Sequence, residues 1–295
     1  MKKLLLTLAV IAVVLTMGLG AVACSNVNQI NFISVVARDY EQYTYSVYEV
    51  KSAEEKVEIG TFVYMFKRIV ASEGASTTYA IDGKEYMLSS GGVIKTQLNI
   101  TAGQYAGENV TCEVLFENAF SPIASKKVYN AYKDGAADES RSYVSVIDYT
   151  AKKNVSITVN GETQTFKKAN YCYDNDSLYS LARGSDISRS SYSLSVAGVD
   201  NLQGGTRTVS MSLMANTVEL NVPCMSAEPL KATVVTLRAA AQYGSGTASY
   251  VYFVPSYRHT DLNGNSIDLN KVPVRMDEGN YMYTLTAIST EEPAV

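Results

Sequence analysis

Hydrophobic and polar positions alternate with a period of two along much of the chain. Tyrosine or aliphatic residues alternate with serine and threonine over residues 43–48, 155–159, 191–196 and 209–213. Such a pattern buries one face of a strand and hydrates the other, which is typical of antiparallel sheets. The pair Asn160-Gly161 ends one of these stretches and predicts a two-residue hairpin turn. The pattern therefore predicts a mainly β protein built from antiparallel sheet.

Three other segments interrupt the strand pattern. Residues 176–184 begin with an acidic residue, carry Leu178 and Leu181 three positions apart, and end in a basic residue and a glycine, which predicts one short helix. The polar residues 134–141 predict a long loop. Residues 261–268 place oxygen-bearing side chains at alternate positions, as in half of a calcium-binding loop, or form a simple Asn-Gly hairpin turn. The missing glycine and glutamate of a calcium loop favour the hairpin.

The N-terminal segment has the layout of an export signal. Two lysines precede an apolar run over residues 4–19, and small residues lead to Ala21-Val22-Ala23-Cys24. This end of the segment resembles the lipobox of bacterial lipoproteins, although Ala21 stands where that family usually has leucine. The resemblance implies a signal peptide over residues 1–23, acylation of Cys24, and an anchor at the extracytoplasmic face of the cell membrane, with the bilayer as a partner. Ordinary cleavage after Ala23 is the alternative.

The remaining chain divides into a leader over residues 24–37 and one β-rich domain over residues 38–290. Two aromatic strands that follow Gly60-Thr61 and Gly246-Thr247 suggest two similar halves, 38–172 and 185–290, unless the likeness arose by chance. Further landmarks follow the first Gly-Thr strand in order: Asp174-x-x-Ser177-Leu178-Tyr179-x-x-x-Arg183, Tyr252-Phe253, Val272-Pro273-Val274-Arg275-Met276 and Tyr283-x-Leu285. Together they resemble a family of exported bacterial β domains of unknown function, related to the half-barrels of lipoprotein carriers. The resemblance implies curved antiparallel sheets, arranged as a half-barrel or sandwich, with an apolar concave face.

The amino-acid composition excludes several classes of function. The 295 residues carry 25 basic and 29 acidic side chains, for a net charge of −4, which becomes −6 once Lys2 and Lys3 leave with the signal peptide. No basic field exists to hold nucleic acid. The chain has one histidine, His259, and no tryptophan, and it lacks the serine-nucleophile, zinc-protease and phosphate-loop motifs. We therefore expect no enzyme, no catalytic residue, no metal and no cofactor. A hydrolase with paired carboxylates is a distant alternative.

Four residues are the candidate ligand-binding positions: Tyr64, Tyr179, Arg183 and Tyr252. Arg183 is expected to pair with Asp174 or Asp176 near the helix, to donate to helix carbonyls, or to hold an anionic head group at a cavity mouth. The 22 tyrosines suit half-exposed strands. Groups such as Tyr43, Tyr45 and Tyr48, or Tyr171, Tyr173 and Tyr179, are expected to line a groove, to form an adhesive surface or simply to pack in the sheet.

The cysteines after Cys24 are odd in number and widely spaced. We expect either one disulfide and a free thiol, or three unpaired buried residues, among Cys112, Cys172 and Cys224. Their wide spacing excludes a zinc motif.

The sequence favours a non-enzymatic, membrane-anchored lipoprotein whose curved sheet binds an apolar or amphipathic ligand, such as a lipid or envelope component. The alternative is a structural or adhesion module that contacts another cell-envelope protein through tyrosine-rich strands.

Overall fold

A computed structural model describes residues 39–293, apart from residues 73, 118–119, 186–190, 201 and 240–247. The predicted signal peptide, Cys24 and the leader lie outside the described residues, as do Gly246 and Thr247. Over the described ranges, no helix has the length and apolar character needed to cross a membrane.

Twenty strands make up most of the described chain. The first twelve are β1 (Tyr40–Val50), β2 (Lys56–Val70), β3 (Thr77–Ile81), β4 (Lys84–Leu88), β5 (Ser90–Ile100), β6 (Asn109–Phe116), β7 (Pro122–Asn130), β8 (Tyr132–Lys133), β9 (Ala136–Ala137), β10 (Tyr143–Asp148), β11 (Asn154–Val159) and β12 (Glu162–Lys167). The others are β13 (Cys172–Asp174), β14 (Ser191–Asp200), β15 (Gln203–Leu213), β16 (Val218–Leu220), β17 (Leu230–Ala239), β18 (Ala248–Thr260), β19 (Ser266–Glu278) and β20 (Tyr281–Ser289). Between β13 and β14 lies one short helix, α1 (Leu178–Gly184).

Sixteen of the strands form one sheet, in the order β12-β11-β10-β7-β6-β5-β2-β1-β20-β19-β18-β17-β15-β14-β13, with β16 beside β17. Neighbouring strands are antiparallel except β13 and β14, which are parallel. The first and last strands, β1 and β20, pair in the middle of the sheet. The chain therefore builds one side of the sheet outwards from β1 and returns inwards along the other side to β20. This confirms the predicted fold class of mainly antiparallel sheet with one short helix.

The sheet curls until its two ends pack against each other. Strand β11 contacts β14 and β15, and β13 contacts β7. Their meeting faces form an apolar cluster of Ile147, Tyr149, Val155, Ile157, Cys172 and Ala197. Gly204 lies at this junction, where a Cβ atom would be 2.6 Å from the Cγ2 atom of Ile157. Side-chain packing between these strands therefore closes the sheet on itself around an interior.

The predicted alternation determines which side chains face this interior. Tyr43, Tyr45 and Val47 of β1 are buried, whereas Thr44 and Ser46 between them are half-exposed. The first two tyrosines of the group 43–48 are thus core residues and cannot form an adhesive surface.

The predicted turns are confirmed, with one correction. Asn160 and Gly161 join β11 to β12 with positive φ values of 49° and 88°, the geometry of the favoured hairpin turn. Residues 261–265 link the antiparallel β18 and β19, and Asp261 accepts hydrogen bonds from the backbone amides of Asn263 and Asn265, so the hairpin interpretation holds. The loop predicted over residues 134–141 is wrong in part, because its first residues turn between the paired strands β8 and β9.

Helix α1 lies inside the curled sheet. A 3-10 turn over Asn175–Ser177 precedes it, and the carboxylate of Asp174 accepts a hydrogen bond of 2.8 Å from the amide of Asp176. This cap lies two residues before the position expected from sequence, so the first turn is tighter than an α-helical one. Leu181 and Ala182 are fully buried. The helix thereby fills one half of the interior.

Candidate functional site

The other half of the interior is an open cavity of about 920 Å³. Its wall includes residues of β2, β5 and β6 on one side of the central β1–β20 pair, and of β15, β17 and β19 on the other. The apolar lining consists of Phe62, Leu98, Val110, Leu178, Val209, Leu237, Met276 and Tyr283. The interior therefore has a packed part around α1 and an open part, which is the cavity.

Strand ends and turns of one end of the curled sheet border the cavity. Glu49 is the penultimate residue of β1, Tyr105 lies between β5 and β6, Asp200 ends β14, and Asn280 lies between β19 and β20. These positions share one end because each strand runs antiparallel to its neighbours. Tyr40, where β1 begins, lies at the opposite end.

Two ion-pair or hydrogen-bond contacts connect the wall to the turn before α1. The Nζ atom of Lys127 in β7 lies 2.7 Å from Oδ1 of Asp176. The Nη2 atom of Arg207 in β15 donates a hydrogen bond of 2.5 Å to Oδ1 of Asn175. Burial opposes the charge of Lys127, but the nearby Asp176 and Tyr143 outweigh it and raise the pKa of this lysine. Both cations therefore already have a partner.

Glu278 ends β19 and points into the cavity. Its side chain is exposed to the open space of the cavity. The hydroxyl of Tyr179 donates a long hydrogen bond of 3.4 Å to its Oε2 atom. Partial desolvation by the surrounding wall raises the pKa of Glu278, and Lys127 and Arg207 partly offset this.

Asp174 lies behind the cavity and holds the turn in place. Its Oδ2 atom accepts hydrogen bonds from Ser125 Oγ at 2.6 Å and from the Tyr149 hydroxyl at 2.8 Å. Burial, together with the charge of Asp176, raises the pKa of Asp174 to about 6. These contacts link β7, the end of β10 and the start of α1, so Asp174 both caps the turn before the helix and fixes it to the wall.

Of the four candidate binding residues, Tyr179 lines the cavity. Arg183 and Tyr64 lie in a buried network on the other side of α1. Arg183 forms an ion pair with Glu41 and donates hydrogen bonds of 3.1 and 2.8 Å to the carbonyl oxygen of Asn270. Tyr64 shares a hydrogen bond with Ser180.

The prediction that Arg183 pairs with Asp174 or Asp176 is wrong. Asp174 and Asp176 are near it in sequence, but its partner is Glu41, 142 residues away in the chain. The Tyr43 hydroxyl donates a hydrogen bond of 2.8 Å to the same Glu41 carboxylate, and the Arg183 guanidinium lies 5.6 Å from the Tyr43 ring centre. The network joins α1 to β1, so Arg183 stabilises the packed half of the interior.

Tyr252 lies on the outer face of the sheet. Val251 and Phe253 beside it are fully buried, so alternation directs Tyr252 outwards. Its hydroxyl donates a hydrogen bond of 2.9 Å to Asp277, and Arg275 lies 5.0 Å from its ring centre. The structure therefore separates Tyr252 from the cavity.

All three cysteines after Cys24 are unpaired. Cys112 and Cys172 are buried and Cys224 is exposed. The disulfide alternative is wrong, and the alternative of three buried thiols is right for two of them.

Three cavity residues did not emerge from the sequence: Lys127, Arg207 and Glu278. One signal points to the latter two. Arg207 lies two positions before the buried Val209, and Glu278 lies two positions after the buried Met276. A charged residue in phase with the buried face of a strand points to the interior, and an open interior can accommodate it.

The comparisons with known proteins add little. No family model matches this sequence, and no curated protein matches it either. One similar solved structure is that of a beta-barrel-like protein with a domain of unknown function from Brucella abortus. It is 10% identical, the match covers 86% of this chain and 98% of that one, and the TM-score is 0.47. A likeness this distant supports no inference about function.

Proposed function

We propose that this protein binds an apolar or amphipathic ligand in the interior of its curled sheet. The cavity of about 920 Å³ supports this most strongly. Protein interiors are normally packed with few voids larger than a water molecule. Pockets for small ligands measure roughly 300–1,000 Å³. A cavity of this size inside the sheet is therefore better explained by a ligand than by imperfect packing.

The lining indicates what kind of ligand fits. Phe62, Leu98 and Leu237 offer apolar contacts from the wall, while Tyr179 and Glu278 offer polar ones. A ligand with both an apolar body and a polar group satisfies both sets, because burying either kind of surface without a complement costs free energy.

Blocking the cavity is expected to abolish binding. Leu98→Trp adds a large ring to a half-buried wall position and should weaken binding of N-phenylnaphthylamine, an uncharged apolar fluorophore, by at least about tenfold, or ~1.4 kcal/mol. Fluorescence titration of the full chain measures this.

Leu262→Trp is the matched control, because Leu262 is 92% exposed in a surface turn. It should bind as the unaltered chain does. An unaltered chain that does not bind the fluorophore, or a Leu98→Trp variant that binds it equally well, would refute the proposal.

We also propose that the protein is a lipoprotein, anchored through Cys24 at the extracytoplasmic face of the membrane. The support is the order of charged, apolar and small residues before Cys24. Two or more acyl chains, at about 0.8 kcal/mol per buried methylene, hold a protein stably on a bilayer.

Cys24→Ser should move the protein from the membrane fraction to the soluble extracytoplasmic fraction and remove metabolic labelling by palmitate, since serine provides no thiol for acylation. Cys224→Ser makes the same change at an exposed cysteine of the folded domain and should leave both unchanged. Retention of Cys24→Ser in washed membranes would count against the anchor.

Within this proposal the protein acts without catalysis. Lys127 engages Asp176 in the cavity, and Asp174 is fully buried behind it with three donors around its carboxylate. These carboxylates have structural partners that general acid or base catalysis would have to break. The adhesion alternative loses support because Tyr43, Tyr45 and Tyr173 are buried.

A further inference from the structure

The charged side chains that line the cavity are unequal in sign. Four are acidic and two are basic, namely Glu49, Asp176, Asp200 and Glu278 against Lys127 and Arg207. A ligand that enters this space meets a net negative field, which walls of low dielectric strengthen.

The two basic groups are committed to the turn before α1. Lys127 lies 2.7 Å from Asp176, and Arg207 lies 2.5 Å from the side-chain oxygen of Asn175. An anionic head group would have to take either cation from its partner, and a buried partner left alone costs free energy. Arg183, the other basic candidate, is buried against Glu41.

Glu278 differs from the other charged groups around the turn. Among the described residues, no cationic nitrogen lies within 4.0 Å of its carboxylate, and its contact with the Tyr179 hydroxyl is long at 3.4 Å. The surrounding wall raises its pKa although Lys127 and Arg207 act in the opposite direction, so the cavity disfavours its negative charge. A cation beside it would relieve that penalty.

Aromatic rings provide a second, independent feature that attracts cations. Four tyrosines line the same cavity, namely Tyr105, Tyr179, Tyr281 and Tyr283. The ring of Tyr105 already faces the Arg141 guanidinium at 5.3 Å, so the other three are the relevant rings. The faces of aromatic rings attract cations, and aromatic cages commonly bind substituted ammonium groups.

From these observations we infer that the ligand of the cavity is an amphiphile with a positively charged ammonium head group, which Glu278 binds among the tyrosine rings. The inference rests on the proposed function and specifies its ligand class. The apolar body then lies along the wall, beginning at Met276, the next residue of β19 on the same face. Opposite charge favours such a pairing, and like charge disfavours an anionic head.

The test compares three probes that carry the same dodecyl-length chain: dodecylamine, dodecyl maltoside and laurate. Each is titrated by calorimetry, below its micelle concentration and at neutral pH, into the full chain carrying Cys24→Ser, so that no acyl chain of its own competes. Dodecylamine should bind at least about tenfold more tightly than laurate, with the maltoside between them. Glu278→Gln should remove most of this preference while leaving maltoside binding within about twofold.

Glu162→Gln provides the control for charge, because Glu162 is exposed at the start of β12, outside the cavity lining. It should leave the preference intact. If the three probes bind equally, or if laurate binds best, the inference about charge fails while the proposed function stands. If none of the three binds, the proposed function itself fails.

Discussion

Replacing Arg183 with methionine is expected to lower the free energy of unfolding by about 3–5 kcal/mol, the range found when one partner of a buried ion pair is removed. Glu41, which would lose its cation, has no exposed surface, and the Arg183 side chain is 5% exposed. The variant also removes two hydrogen bonds to the carbonyl oxygen of Asn270. Urea denaturation of the Cys24→Ser chain measures the change.

An exposed ion pair provides the comparison. The Nε atom of Arg258 lies 2.9 Å from Oδ1 of Asp268, and the two side chains are 71% and 68% exposed. Arg258→Met should therefore cost far less stability than Arg183→Met, because solvent screens an exposed pair. The double variant Glu41→Gln and Arg183→Met should recover part of the lost stability, because it also removes the buried negative charge that Arg183 balances. Equal losses for the buried and exposed arginine would show that the Glu41–Arg183 pair does not stabilise the packed half of the interior.

Shortening Leu181 to alanine is expected to lower the free energy of unfolding by about 2–5 kcal/mol. Leu181 has no exposed surface and faces the core between α1 and the sheet. Alanine leaves a cavity in a region that is otherwise packed, so lost contacts add to the lost transfer free energy. Thermal and urea unfolding give the change.

Leu178 makes the matched comparison within the same helix. Its side chain is half-buried and lines the open cavity, so Leu178→Ala should cost clearly less stability but weaken the binding of N-phenylnaphthylamine. Leu181→Ala should affect binding less than stability. Two variants with the same profile would contradict the division of the interior into a packed half and an open half.

Local patterns predicted the elements well. The alternation over residues 43–48 and 209–213 lies within β1 and β15, and Asn160-Gly161 makes the hairpin that its residue types favour. These features depend on neighbours a few residues apart, since strand period and turn geometry are local properties. Even the short helix was found, and its start differs because Asp174 caps a 3-10 turn first.

Contacts between distant segments were not predictable in this way. Arg183 pairs with Glu41 because α1 lies inside the sheet next to β1, and no spacing in the sequence records that placement. Lys127 and Asp176 meet for the same reason. Tyr252 was expected near the ligand, yet its position in β18 directs it outwards.

Local patterns in the sequence were sufficient to predict antiparallel strands with one helix, and to predict which faces of many strands turn inwards. The sequence's one histidine and its lack of the common catalytic motifs predicted a protein that is not an enzyme. How those inward faces meet depends on contacts between distant segments, and these are visible only in the folded protein. The inward face of a strand has the same apolar character whether it packs against another segment or borders open space. The curl of the sheet, the contact of β11 with β15 and the position of α1 leave one half of the interior filled and the other half open.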